Sequence, residues 1–277
     1  MQVPAKDRAR VLITVKAYPQ LSKRNRSEVV CVAGVRLDRG KPEWIRLFPV
    51  PFRDLPAAAR FRKYQIVDVD VRRGVDARPE SHHADFESIE VVESLESGRD
   101  GLWAARRAKL GDLLGDMTAC EILKANVGGG PAPSLALVKP AEVLDVEVKV
   151  NPGFDAEQIA LAEMLAEVDL FGDDRPSQLE PMPYLVKYRY RCLSSGCPTH
   201  AQTLIDWEVG QAGRDWSSRY ERSEIPGRIR EKFLDKLCGD QRDPYFYLGN
   251  QKLHLRTFMV LGVWWPKKAP LAEEGLF

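Results

Sequence analysis

The 277-residue chain is 44% apolar and 29% charged, enough for one large domain or two modest ones, and it lacks the run of about 18 apolar residues that crosses a bilayer. Met1 to Arg10 carries charges with no apolar segment behind them, so a secretory signal is not expected. The net charge of +1 hides an asymmetry: residues 1–76 hold 17 basic against 8 acidic side chains, residues 77–180 hold 9 against 21, and residues 181–277 hold 15 against 11.

Val11–Lys16 predicts a first strand, followed by a polar, basic loop over Ser22–Ser27. Glu28–Leu37 predicts a second strand, and the Gly40 and Pro42 turn returns the chain into a third at Trp44–Phe48, stopped by Pro49 and Pro51. Tyr64–Arg72 alternates apolar and charged residues as a half-buried strand does. Arg78–His83, with its adjacent histidines, is expected as a surface loop, and Phe86–Glu96 is mixed and acidic. Gly101–Met117 has the apolar spacing of an amphipathic helix. The glycines at 128–130 are followed by Pro131 and by no Gly-Lys-Ser/Thr, which argues against a phosphate loop.

Ser134–Lys139 and Glu142–Val150 predict two further strands, and Asp155–Val168 predicts a helix. Phe171–Pro183 is rich in Asp, Gly and Pro and is the best candidate boundary. Beyond it are expected strands either side of a short loop, a helix near Arg228–Cys238, and a β pair near Tyr245–Leu248 and Phe258–Trp265. No internal repeat is evident.

The chemically pointed stretch runs from Arg191 to Glu208. Cys192, Cys197 and His200 (Cys-x4-Cys-x2-His) fall in a loop between two strands, close to the spacing of a zinc knuckle. That supplies three ligands where zinc takes four; the fourth would come from His254, Cys238, Asp206 or a water. The alternatives are a strand-end cysteine, a free loop thiol and a solvated histidine, or a redox pair of the two cysteines, which a reducing cytoplasm disfavours. The other cysteines, Cys31, Cys120 and Cys238, read as inert, and five scattered cysteines fit a reducing compartment, hence the cytoplasm. Asp206 and Glu208 fall on one face if the last strand continues, where they would pair with Arg189 and Arg191 or hold a divalent cation for hydrolysis.

The phrases Lys16-Ala-Tyr-Pro-Gln-Leu-Ser, Trp44-Ile-Arg-Leu-Phe-Pro-Val-Pro-Phe-Arg, Arg78-Pro-Glu-Ser and Ile205-Asp-Trp-Glu resemble a family of bacterial hypothetical proteins. The resemblance spans most of the chain and implies no activity, cofactor or site.

These readings predict an α+β protein: a basic, β-rich, barrel-like N-terminal module over 1–150, a helical linker region over 151–183, an α+β C-terminal module with a Cys/His hairpin over 184–268, and a loose tail over 269–277. The leading functional expectation is nucleic-acid binding with a structural zinc knuckle, and no membrane partner. Phosphate contacts are expected from Lys23, Arg24, Arg26, Arg46, Arg53, Arg60, Arg62 and Lys63. The metal ligands expected are Cys192, Cys197, His200 and His254. One alternative is a metal-dependent hydrolase, a nuclease using Asp206 and Glu208 with His200 as acid/base; another is a protein-interaction module without metal.

Overall fold

Every residue from Val11 to Val15 is buried, although the strand that carries them alternates its side chains between two faces. The strand, β1 (Asp7–Lys16), is therefore covered on both sides, and that sets the architecture. The computed structural model describes residues 7–22, 27–74, 77–128, 130–167, 179–252 and 254–270.

β1 pairs antiparallel with both β3 (Ser27–Arg36) and β5 (Gln65–Arg73). β3 pairs with β4 (Glu43–Val50), β4 runs parallel to β6 (Ser81–Ser94), and β6 returns to β5. The order β1-β5-β6-β4-β3 and back to β1 is a closed five-stranded barrel, with the short β2 (Gln20–Ser22) added against β3. Val11 and Ile13 point into it with Val32, Ile45, Leu47, Val67 and Val69. β4 continues through Pro49 to Val50, beyond the stop that the prolines predict. β6 replaces the expected surface loop and mixed stretch, and His82 lies on it opposite Leu47.

The second sheet comprises β7 (Leu135–Val138), β8 (Pro140–Val150), β9 (Tyr184–Cys192), β10 (His200–Leu204), β11 (Tyr245–Gln251) and β12 (His254–Trp264), in the order β7-β11-β12-β10-β9-β8. Lys139 alone separates β7 from β8, so the two edges are one bent stretch of chain that curls the sheet toward itself. With β7 and β8 counted as one strand, the strand order matches that of the first barrel. The parallel pair falls in the same place, β10 with β12. The sequence shows no repeat, but the topology does. β7 and β8, assigned above to the 1–150 module, belong to this second sheet.

Five α-helices are present among the described residues. α1 (Ala104–Leu110) and α2 (Ala119–Ala125) link the sheets, and α3 (Ala156–Glu167) lies between β8 and β9. α4 (Trp207–Ser217) and α5 (Ile225–Arg230), the latter running into a π-helical segment over Glu231–Lys236, join β10 to β11. Ile225, Ile229 and Phe233 cover the second sheet's core with Val186, Tyr188, Tyr190, Phe246 and Val260.

A third apolar cluster lies between the modules. Leu12, Ala33 and Val35 of the first barrel meet Leu135, Leu137, Tyr247, Leu261 and Trp264 of the second sheet. A buried polar seam runs beside it. Glu80 accepts from the Ser134 backbone N–H and hydroxyl, both at 2.8 Å, while the Arg46 guanidinium donates to the Ser134 carbonyl at 3.0 Å. Each buried charge therefore has a partner, which such burial requires.

Candidate metal centre and basic strand face

Thr118 opens α2 with a capping box: its hydroxyl accepts the Glu121 N–H at 3.2 Å, and the Glu121 carboxylate accepts the Thr118 N–H at 2.8 Å. This fixes the first turn of the helix and with it Cys120. The Thr118 hydroxyl also lies 2.7 Å from that of Ser194, tying the cap to the loop between β9 and β10. In that loop Gly196 has φ +66°, a left-handed turn that glycine takes without a steric penalty. The turn brings Cys197 back beneath Cys192, whose backbone N–H donates to the Cys197 sulfur at 3.2 Å.

Four ligating atoms converge. Cys192 Sγ lies 3.3 Å from Cys197 Sγ and 3.6 Å from Cys120 Sγ; His200 Nε2 lies 3.2 Å from Cys197 Sγ and 3.5 Å from Cys120 Sγ. All four lie within 4.8 Å of one another, a group that could hold a metal ion. Zinc–sulfur bonds of about 2.3 Å and zinc–nitrogen bonds of about 2.0 Å place tetrahedral ligand atoms roughly 3.5–3.8 Å apart. The set fits such an ion closely. Burial opposes ionisation of Cys192, but the Ser194 backbone and hydroxyl and His200 bring it down to about 5. Burial and the neighbouring Cys192 and Cys197 push Cys120 up to about 12. A cluster that resists a second negative charge gains most from a bound cation.

The fourth member is thus Cys120, read above as inert, and not His254. His254 is exposed at the start of β12 and lies outside the group; β12 pairs with β10 at Val260, further along the strand. Sequence spacing could not reveal Cys120, which is 72 residues from Cys192. A cysteine inside a Thr-x-x-Glu capping box was the one local sign that its position is fixed.

Asp206 and Glu208 do not share a strand face. β10 ends at Leu204, and Asp206 is the N-cap of α4, accepting the Glu208 N–H at 3.0 Å. Arg189 and Arg191 pair with β8 instead, Arg189 with Glu147 at 3.6 Å and Arg191 with Glu142 at 3.2 Å. The cation on Asp206 is Lys63, from the turn before β5: its ammonium lies 2.8 and 2.6 Å from the two carboxylate oxygens and 3.1 Å from Glu208. Burial alone would lower Lys63, but the two carboxylates reverse that and hold it above the usual lysine value. One ammonium bridges both acids where the hydrolase alternative needs a divalent ion.

Among the described residues, four of the five predicted phosphate contacts are engaged internally. Arg46 is 2% exposed and bound to Ser134; Arg53 pairs with Glu28 at 2.6 Å; Lys63 is the bridge just described. Arg60 is exposed, but its guanidinium donates to the Leu55 and Arg53 carbonyls. Arg62 is exposed, and Lys23, Arg24 and Arg26 lie outside the described residues. Other cations of the first quarter are paired as well, Arg10 with Asp68 and Arg36 with Asp7.

A second basic row faces solvent. Along β9, Tyr184, Val186, Tyr188, Tyr190 and Cys192 are buried while Leu185, Arg189 and Arg191 are exposed and Lys187 is half-buried. Three cations therefore line the outward face of the strand that ends at the thiol cluster.

Residues 115–277 match the family described as Domain of unknown function (DUF8757). The chain belongs to that family. Residues 7–112 match a second, Domain of unknown function (DUF8758), so the DUF8757 part carries the second sheet and the thiol cluster and the DUF8758 part the barrel. No curated protein matches the chain. Among solved structures, a chain from a replication protein A heterotrimer bound to ssDNA is similar at 11% identity and a TM-score of 0.32, over 90% of this chain and 44% of that one. The present chain thus spans less than half of that protein's length, and a likeness so slight carries no inference about ligands.

Proposed function

We propose that the protein binds nucleic acid on the outward face of β9 and β10, and that zinc held by Cys120, Cys192, Cys197 and His200 fixes the end of that face. The row Lys187, Arg189 and Arg191 carries the reading. Five-stranded Greek-key barrels of the OB type take oligonucleotides on their second and third strands, and β9 and β10 are the second and third strands of their sheet once β7 and β8 count as one. The corresponding strands of the first barrel, β3 and β4, are covered by the second sheet. The acids opposite the arginines do not stand in the way. Exposed ion pairs contribute about 0–1 kcal/mol, so a phosphate can displace a carboxylate at little cost.

The donor set supports a structural role for zinc. Three thiols and an imidazole complete a four-coordinate shell and leave no position for a reacting water. His200 is then a ligand and not an acid/base, and Lys63 already bridges Asp206 and Glu208; both observations favour binding over hydrolysis.

The test is a fluorescence-anisotropy titration of labelled single-stranded oligonucleotides at several salt concentrations. Affinity is expected to fall as salt rises, and the triple variant Lys187→Glu, Arg189→Glu, Arg191→Glu is expected to lose at least about tenfold in affinity. Binding that is independent of salt and unchanged in the variant would overturn the proposal.

A further inference from the structure

The three thiols of the metal centre come from two places in the chain. Cys192 ends β9 and Cys197 precedes β10, so both sit on one hairpin, with Gly196 turning the chain between them. Their sulfurs lie 3.3 Å apart, closer than the 3.6 Å from Cys192 to Cys120. Cys120 comes from α2, so a metal shared by all three joins that helix to the hairpin.

The two pairs also differ in how easily they close. A disulfide needs its sulfurs at about 2.05 Å, so one of them must move by about 1 Å. Cys197 can do so. Ser195, Gly196, Pro198 and Thr199 around it are exposed, and a Cβ at Gly196 would meet nothing within 4 Å. Cys120 is held by its helix, where Ala119 and Ile122 are packed in the core and the Thr118 capping box fixes the first turn. Cys197 is also half-buried where Cys192 is 3% exposed, so an oxidant can reach it from solvent.

We propose that the cluster is an oxidation site: a hydroperoxide joins Cys192 to Cys197 as a disulfide, and the zinc is released, freeing Cys120 from the hairpin. The Cys197 thiolate bonds to one peroxide oxygen and the O–O bond breaks. The other oxygen leaves as hydroxide and takes a proton from solvent to become water. The Cys192 thiolate then bonds to the Cys197 sulfur, and the S–O bond breaks to give a second hydroxide and, on protonation, a second water. Two electrons pass from the sulfurs to the peroxide. Only Cys120 and His200 remain as ligands, two where zinc takes four. The release of zinc rests on the metal reading above, whereas the disulfide rests on the sulfur geometry alone. Thiol exchange reverses such a bond, which distinguishes a switch from damage.

The experiment takes the full chain purified under reducing conditions, measures its zinc by elemental analysis, and adds hydrogen peroxide with a chromogenic chelator present. Zinc is expected to reach the chelator as non-reducing peptide mass spectrometry shows Cys192 joined to Cys197. Dithiothreitol and added zinc are expected to restore the starting state. Cys120 is expected to react with iodoacetamide on the order of tenfold faster after peroxide than before, since neither zinc nor a partner sulfur then covers it. Cys120→Ser keeps the pair and is expected to form the same disulfide. A zinc-free protein that still forms the disulfide would overturn the metal reading and support the oxidation site. A zinc-loaded protein that keeps its zinc, forms no Cys192–Cys197 bond, or pairs Cys120 instead would overturn the proposal; neither zinc nor disulfide would overturn both.

Discussion

The barrel and the second sheet share a strand order and a parallel pair, yet they present the same face to different surroundings. In the barrel, the outward side of β3 and β4 carries Ala33, Val35, Trp44 and Arg46, and the second sheet covers it. In the second sheet, the outward side of β9 carries Leu185, Lys187, Arg189 and Arg191 and faces solvent. One topology therefore serves once as a docking surface within the chain and once as an open basic surface. The side chains on alternate strand positions decide between the two, because strand period puts every second residue on that face.

The largest effect is expected where one region depends on a cluster the other lacks. Cys120→Ser should remove a thiolate from the four-membered set, abolish stoichiometric zinc in elemental analysis and lower Tm. Structural zinc in small domains contributes about 10–16 kcal/mol, so a loss of several kcal/mol is expected even in this larger fold. Retention of one zinc per chain by the variant would show that Cys120 is not a ligand.

Next in size is the bridge between the modules. Lys63→Met leaves Asp206, 2% exposed, without its cation, and breaking one side of a buried pair costs about 3–5 kcal/mol by denaturant titration. The pH dependence has a defined sign. Burial would raise Glu208, but Lys63 lowers it below its ordinary value of 4.5. The stability from that contact is thus present above pH 4.5 and is lost as pH falls through the lower folded value. Lys63→Met should remove that part of the acid response; an unchanged acid limb would show that Glu208 contributes none of it.

The covered face and the open face can then be set against each other. Tyr247→Ala removes a ring that is 2% exposed and meets Trp44 edge-on at 6.2 Å, and should cost about 3 kcal/mol. Arg189→Ala on the open face should change stability by less than about 1 kcal/mol and show itself in the binding titration instead. Equal stability losses at the two sites would dissolve the distinction between the faces. A modest effect is expected of Thr118→Ala, about 1 kcal/mol from the lost cap, with a weakened hold on zinc because the same hydroxyl meets Ser194; a competition titration with a chelator would register it.

The amino-acid sequence alone determined what depends on near neighbours. Alternation placed β5 and β9, the apolar run around Val11 placed β1, and the spacing of Cys192, Cys197 and His200 put three members of the cluster at one hairpin. Local pattern also misled. The alternation from Ala201 to Glu208 reads as a continuous strand, but Asp206 caps a helix there, since a buried carboxylate with Lys63 at hand stabilises the α4 start. Tertiary structure alone decided the rest: Cys120 as fourth member, Lys63 as the cation between the acids, and the internal use of Arg46 and Arg53. Each of these partners is distant in sequence, and charge or thiol chemistry does not state in the sequence which remote group will answer it. The same holds for the repeated topology, which two sequences can share by repeating apolar positions without repeating residues.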